Sequence, residues 1–477
     1  METQNKPAGP TRVETDSMGE MTVPIDAWYG ASTARAMDNF PVSGHRVPGR
    51  MIRALGLVKL AAARANGGLG ILDGRIADAV ATAAEEVASG ALDAHFPVDV
   101  FQTGSGTSSN MNANEVIANL ATEALGGERG SKLVHPNDHV NLGQSSNDVF
   151  PSAIHVAVLE ALVQDLRPAL LVLGKALDAK ARQWNDILKL GRTHLMDATP
   201  MRLGQEFSGY ASMLEHSVAR VDRSCKPLEE LAIGGTAVGT GINTHPDFAR
   251  LVCRHLSELT GLSLHEASNH FEAQGSRDGL VEVSGQLRTI AISLSKIAND
   301  VRWLASGPRG GIGEITLPAV QPGSSIMPGK VNPVICESVI QVSAQVIGHD
   351  AAVAQAGLGG VFELNLMMPM MAYNLLESIR LIANAARMFA TKAVAGLEAN
   401  PERCRSLIEQ SLAMSTALAL AIGYDRAASI AKKAHQTGRT VREVAYSESG
   451  LDPAAVDRLL DPVAMTAPNS TRVGSGA

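Results

Sequence analysis

Cysteine is scarce. Cys225, Cys253, Cys336 and Cys404 are the four in 477 residues, far apart and without a CxxC pair. That spacing argues against structural zinc, a clustered iron–sulfur site or a disulfide framework, and it suits a reducing cytoplasm. A run of apolar residues long enough to cross a bilayer is also lacking, so no membrane association is expected. Lys/Arg clusters are missing and the formal net charge is −7, which leaves no footprint for nucleic acid or an anionic membrane surface. Residues 1–16 include Pro7, Gly9, Pro10, Glu14 and Asp16 but no apolar core, so they read as neither a secretory signal nor an Arg-rich transit peptide. P-loop, Rossmann and nucleophile-elbow patterns are absent, and no organic cofactor is expected. Small metabolites remain as the ligand class.

What the chain does have is length and helical spacing. At about 150 residues per domain it allows roughly three domains with a large core. Aromatics are only 4%, while alanine is abundant, which favours close helix packing and an all-α fold. Ile154, Val158, Leu162 and Leu166 recur every fourth residue, and after Pro168 the pattern resumes through Leu173, Leu177, Trp184 and Leu188. The spacing predicts one long helix kinked near the proline. Leu280, Val283, Leu287, Ile290, Leu294, Ile297, Val301 and Leu304 alternate steps of three and four, the seam of a coiled-coil-like bundle. A third helical stretch runs from about Pro333 to Ala393, striped by Ile335, Val339, Val342 and Val346 and interrupted near Gly357–Gly360. Three divisions follow: 1–142, turn-rich with shorter helices; 143–401, a central long-helix bundle; 402–477, short pieces ending in a polar, Gly/Ser-containing tail. Helices this long leave wide apolar faces uncovered, so a homo-oligomer built on them is expected.

Four polar segments interrupt the apolar background. Thr103–Asn110, holding Ser105, Gly106 and Thr107, reads by itself as a turn capping the next helix. Gln144-Ser145-Ser146-Asn147-Asp148 reads as an ordinary N-cap of the first long helix. Gly191–Ala198, with Thr193 and His194, is placed at the end of that helix, where a lone His commonly complements the dipole. The fourth, Gly323-Ser324-Ser325-Ile326-Met327-Pro328-Gly329-Lys330-Val331-Asn332-Pro333, is harder to read as a plain connection. Its glycines and prolines let a loop hinge and then hold shape, while Lys330 and Asn332 offer a positive charge and a donor to a carboxylate or developing oxyanion. It reads as a substrate lid. The run His135-Pro136-Asn137-Asp138-His139 invites a metal reading, but a helix-start turn accounts for it better. Ser293-Leu294-Ser295-Lys296 matches S-x-x-K inside the heptad helix without accompanying motifs and is set aside as chance.

GSSIMPGKVNP resembles the signature of the fumarase/aspartase superfamily, and the other three segments resemble its remaining site regions in the same order. The similarity runs from Met18-Gly19-Glu20 through Ala421–Tyr424. Aspartases typically carry Gln in place of His194 and Ser-Thr-Asn in place of Ser145-Ser146-Asn147, so GRTHLMDA and QSSND resemble the class II fumarases within it. A lyase for a bulkier succinyl adduct fits the four segments less closely. An inactive structural homologue would share the bundle, but it would not need the intact set Ser324, His194, Lys330 and Asn332. The resemblance implies metal-independent, reversible hydration of fumarate to (S)-malate without a cofactor. It also implies an all-α subunit of three domains, a homotetramer with a twenty-helix core, and active sites shared between subunits.

By matching positions, the resemblance makes Ser324 the base that removes a C3 proton from malate. His194 belongs to the acid side, acting through a water, with Glu337 its partner carboxylate. Lys330 and Asn332 bind one substrate carboxylate, while Ser105, Thr107, Ser145, Ser146, Asn147 and Thr193, with Gly106 and Ser325 in the same loops, hold the other groups. His135, Pro136, Asn137 and Asp138 match a second carboxylate-binding site. The chemistry explains these residue types: proton removal beside a carboxylate creates an aci-carboxylate dianion that needs donors and positive charge. Departing hydroxide must be protonated, and serine is a weak base unless its alkoxide is stabilised. Lys330 and a nearby helix N-terminus are the expected sources of that stabilisation.

Overall fold

The computed structural model of the chain describes residues 9–468; Pro7 and the polar tail beyond 468 lie outside the described residues. Helices dominate, and the strands form only two-stranded pairings. A hairpin of β1 (Thr11–Asp16) and β2 (Gly19–Pro24) precedes α1 (Ala31–Asn39), α2 (Gly49–Gly68), α3 (Gly74–Ala88) and α4 (Thr107–Ala124). Then come α5 (Ser146–Ala161), α6 (Arg167–Gln183), the strands β3 (Leu188–Thr193) and β4 (Met196–Arg202), α7 (Leu203–Cys225), α8 (Phe248–Thr260) and α9 (His270–Gly275). The longest helices follow: α10 (Asp278–Leu304), α11 (Val334–Gly357) and α12 (Met368–Lys392). Short helices from Pro401 to Leu459 complete the described chain. No helix among the described residues is long and apolar enough to cross a membrane.

The residues form two compact units. One holds the chain up to Pro168, Ala219–Ala291 and Ser343–Ala383; the other holds Ala169–Val218, Ile292–Val342 and the chain from Asn384. In the first unit α2 packs on α3, α5 and α8. Alanines and glycine make the close approach: a β-carbon at Gly56 would lie 2.8 Å from the Ala88 nitrogen, so α2 and α3 meet nearly backbone to backbone. In the second unit the C-terminal helices close a small core around Leu190 of β3, with Ile408, Leu418, Ile430, Val444 and Leu460. Trp184 meets Phe207 edge to face at 4.7 Å, joining the end of α6 to α7.

The α10 seam is present as expected, every member from Leu280 to Leu304 being 5% exposed or less. The interruption near Gly357–Gly360 is also present, closed by a small pairing of Gly360–Val361 with Leu364–Asn365. Three expectations are corrected. The irregularity near Pro168 precedes it, as a π-turn over Leu162–Leu166, because the proline has no N–H to continue the ladder. The stretch 188–202 is an antiparallel hairpin, so His194 does not end a helix. The helix stops where Asn185 and Asp186 favour turn geometry over helix, and Gly191 then accommodates a register shift where a β-carbon would lie 2.6 Å from the Thr199 carbonyl oxygen. The N-terminal part holds β1–β2 and helices of 20 and 18 residues, α2 and α4, where shorter helices were expected.

Candidate active site

In the first unit, the turn 103–106 and the start of α4 form one polar segment. Thr103 carbonyl accepts from Gly106 N–H at 2.8 Å, and the Ser105 and Thr107 hydroxyls are 2.9 Å apart. The turn does cap α4 as the sequence suggested, with Gly106 as the N-cap at φ +77 and no side-chain hydrogen bond in the cap. The turn has no slack. A β-carbon on Gly104 would fall 1.9 Å from the Leu366 carbonyl oxygen, and one on Gly106 would fall 2.3 Å from the Phe150 ring. Gly104 carbonyl also accepts from Met368 N–H at 3.0 Å. Gly104→Ala is therefore expected to cost about 1–3 kcal/mol through overpacking against backbone, and to lower kcat/KM by moving Ser105 and Thr107. Denaturant titration and steady-state kinetics check both; an unchanged variant would mean the turn is loosely held.

The start of α5 lies in the same unit. Ser145 and Asp148 form a capping box: the Ser145 hydroxyl accepts from Asn147 N–H, and Ser145 N–H donates to the Asp148 carboxylate at 2.9 Å. The other Asp148 oxygen accepts from Gly234 and Thr236 N–H, both at 2.9 Å, and burial raises the pKa of this carboxyl against those bonds. Asn147 donates to the Ala237 carbonyl at 2.8 Å. Behind this turn Lys59, 0% exposed, donates to Asn141 Oδ1 at 2.8 Å and Gln144 Oε1 at 3.0 Å. Asn110 donates to Asn141 Oδ1 and to the Ser146 hydroxyl, both at 3.2 Å. The sequence reading missed Lys59, Asn110, Asn141 and Thr236. A legible signal existed for Lys59, a lysine set inside the apolar run Leu57-Val58-Lys59-Leu60.

The second unit carries Thr193 and His194. Both are exposed, at the tip of the β3–β4 hairpin, where His194 (φ +56) and Leu195 (φ +61) form a two-residue turn with both φ angles positive. Such turns normally select Asn-Gly; a His-Leu pair here is strained and is held by the strands below it. Two residues before His194, Arg192 grips Glu314 with both terminal nitrogens at 3.0 Å. Glu314 is 0% exposed and also lies 3.3 Å from the Lys189 ammonium, which is paired with Glu206 at 3.1 Å. Burial first, and Glu314 among the neighbouring carboxylates, push the Glu206 carboxyl up, while Lys189 pulls it down.

The lid 323–333 is in the second unit too. Its neck is closed by Gly323 N–H to Lys330 carbonyl at 2.8 Å and by the Asn332 amide to Gly323 carbonyl at 2.6 Å. Ser324 is half-buried, and its Oγ accepts from Ile326 N–H at 3.2 Å and Met327 N–H at 3.0 Å. Ser325 and Lys330 are exposed, and Lys330 forms no ion pair among the described residues. Glu337 sits in the first turn of α11, its N–H bonded to the Pro333 carbonyl. Among the described residues His194 has no hydrogen bond to Glu337. The chain thus gathers Ser105, Gly106, Thr107, Ser145, Ser146 and Asn147 in one unit, and Thr193, His194, Ser324, Ser325, Lys330, Asn332 and Glu337 in the other.

The run at 135–139 forms a π-type turn, Pro136–Val140, as a helix start would. His135 Nδ1 accepts from Asn137 N–H at 3.3 Å and Asp138 N–H at 3.1 Å. His135, Pro136 and Asn137 border a cavity of about 570 Å³ also lined by Glu14, Asp16, Glu115 and Lys132, whereas Asp138 does not line it. Among the described residues no group of three or more His, Cys, Asp or Glu is arranged to hold a metal ion.

Residues 19–348 match the lyase family and residues 414–467 match the fumarase C C-terminus. The class II fumarate hydratase of Corynebacterium efficiens is 55% identical over 460 residues, 95% of this chain and 96% of the relative. That of Xylella fastidiosa is 51% identical over 476 residues, 100% of both chains. The solved structure of the class II fumarase of Schistosoma mansoni is similar with a TM-score of 0.94 at 39% identity, covering 97% of this chain and 100% of that one.

Proposed function

Because the chain belongs to the class II fumarate hydratases, we propose that it interconverts (S)-malate and fumarate by anti elimination and addition of water, with Ser324 as base and His194 on the acid side. The single observation that carries the role of Ser324 is the pair of lid amides on its oxygen. Two N–H groups already aimed at Oγ stabilise an alkoxide there and make a weak base competent. Ser324 takes the C3 proton, and the electron pair moves into the neighbouring carboxylate to form the aci-carboxylate dianion. Lys330 and Asn332 meet that charge. The dianion collapses as the C2–O bond breaks, and the hydroxide leaves as water once protonated through a water held by His194.

Ser105, Thr107, Ser145, Ser146, Asn147 and Thr193 bind the remaining oxygens, and Gly106 and Ser325 shape the loops. Glu337 acts as the partner carboxylate of His194. His135, Pro136, Asn137 and Asp138 form the second carboxylate site. No metal or cofactor takes part.

The subunit has three parts, 1–142, 143–401 and 402–477, supported by the confinement of the longest helices to residues 278–392 and by the absence of long helices among the described residues after Pro401. It works as a cytoplasmic homotetramer with a twenty-helix core and sites shared between subunits. Exposed apolar side chains on the bundle helices support this, among them Ile292 and Trp303 of α10 and Ile347 of α11.

The test is the ultraviolet absorbance of fumarate after (S)-malate or aspartate is added to the purified protein with a chelator present. Malate-dependent formation that survives the chelator is expected. Activity with aspartate alone would instead make the chain an ammonia-lyase.

A further inference from the structure

Lys59 is set in the middle of α2 with its ammonium taken wholly out of water. Burying an ammonium among neutral groups is costly, and a link that served packing alone is made more cheaply by an amide or an apolar side chain. Both acceptors within hydrogen-bond reach are neutral: Asn141 Oδ1 at 2.8 Å and Gln144 Oε1 at 3.0 Å. Asp148 acts on it only through space, and burial brings the group down to about 7 against that attraction. The acceptors are not isolated. Asn141 Oδ1 also receives Asn110 and Asn114 of α4 at 3.2 and 3.3 Å, so three donors converge on one oxygen. Asn141 in turn donates to the Gln144 carbonyl at 3.1 Å, and Gln144 donates to the Val140 and Leu142 carbonyls. Asn110 completes the circuit by donating to the Ser146 hydroxyl. The turn 140–146 is thus tied to the Lys59 side chain through Asn141 and Gln144.

We infer that Lys59 is a positioning residue for the hydration reaction, its ammonium holding Asn141 and Gln144 so that the Ser105–Thr107 segment at the start of α4 and the Ser145–Asn147 segment at the start of α5 keep one fixed relation. The inference rests on the proposed function, since it is the substrate oxygens that make this relation matter. When protonated, Lys59 also adds to the field that favours a dianion near the α5 N-terminus. Charge-assisted bonds suit such a role because they are shorter and stiffer than neutral ones.

The test is Lys59→Met, close in volume and without charge. Thermal midpoint and oligomeric state are expected to stay near those of the parent, while kcat/KM for (S)-malate falls about 100-fold, the usual cost of an ångström of misplacement. Combined with Ser146→Ala, the further loss on adding Lys59→Met should shrink to a few-fold, because the link to Ser146 is already gone. A variant with reduced stability but kinetics within twofold of the parent would make Lys59 a structural donor only, and full additivity with Ser146→Ala would equally overturn its role. Should Lys59→Met fail to fold, Asn141→Ala, which leaves Gln144 on Lys59 but cuts the ties to Asn110 and Asn114 of α4, must reproduce the kinetic loss; unchanged kinetics sink the idea. The parent enzyme assayed alongside separates the two readings. An active parent with an unaffected variant overturns the role of Lys59 alone, whereas a parent inert towards malate overturns the reaction and the role together.

Discussion

Ser324→Ala lowers kcat for (S)-malate by roughly 10³-fold, the middle of the range for loss of a general base, with KM changed little. In the proposed mechanism the Ile326 and Met327 N–H groups that point at Oγ stabilise the alkoxide, and alanine leaves those amides with nothing to stabilise. Lys330 and Asn332 keep their places, because the lid neck is held by Gly323–Lys330 and Gly323–Asn332 bonds that do not involve the serine side chain. Substrate binding therefore survives while proton removal does not. Exchange of the malate C3 hydrogen with solvent should fall in parallel with turnover. If Ser324→Ala kept kcat within tenfold of the parent, the base would have to be another group.

The second large effect is on stability. Glu314→Gln is expected to cost about 3–5 kcal/mol, the penalty for leaving buried cations without their carboxylate. Glu314 is fully buried, grips Arg192 with both oxygens and lies within 3.3 Å of Lys189, itself 1% exposed. Glutamine preserves the shape and removes the charge, so Lys189 retains only Glu206 and Arg192 loses its two-pronged partner. Because Arg192 stands two residues before the strained His194–Leu195 turn, the same change should lower kcat as the hairpin tip loosens. Denaturant midpoint and kcat measured together decide this. A loss below about 1 kcal/mol, the scale of a surface pair, would show that the hairpin is anchored by its packing instead.

Much of the fold is legible because helix periodicity is a local property. The seam from Leu280 to Leu304 and the break near Gly357 follow from side-chain spacing, and the Ser145 cap with its Asp148 follows from a four-residue pattern. The hairpin at 188–202 is not legible in that way. Its first residue, Leu188, continues the helical spacing of Leu177 and Trp184, and its turn carries His-Leu where turn chemistry predicts Asn-Gly, so no local signal announced it. The strands are stabilised by the C-terminal helices that pack on Leu190, a contact between segments more than two hundred residues apart.

The sequence alone determined the helical architecture, the position of the polar loop that holds Ser324, Lys330 and Asn332, and the family to which the motifs belong. Each depends on residues that are neighbours along the chain or on a pattern spread through all of it. Only the tertiary structure decided that two lid amides meet the serine oxygen, that Glu314 anchors the strand before His194, and that Lys59 is buried under the turn at 140–146. Those depend on where a side chain ends up and what it meets when water is excluded, and the free energy of a buried charge or donor is set by partners that sequence spacing does not specify.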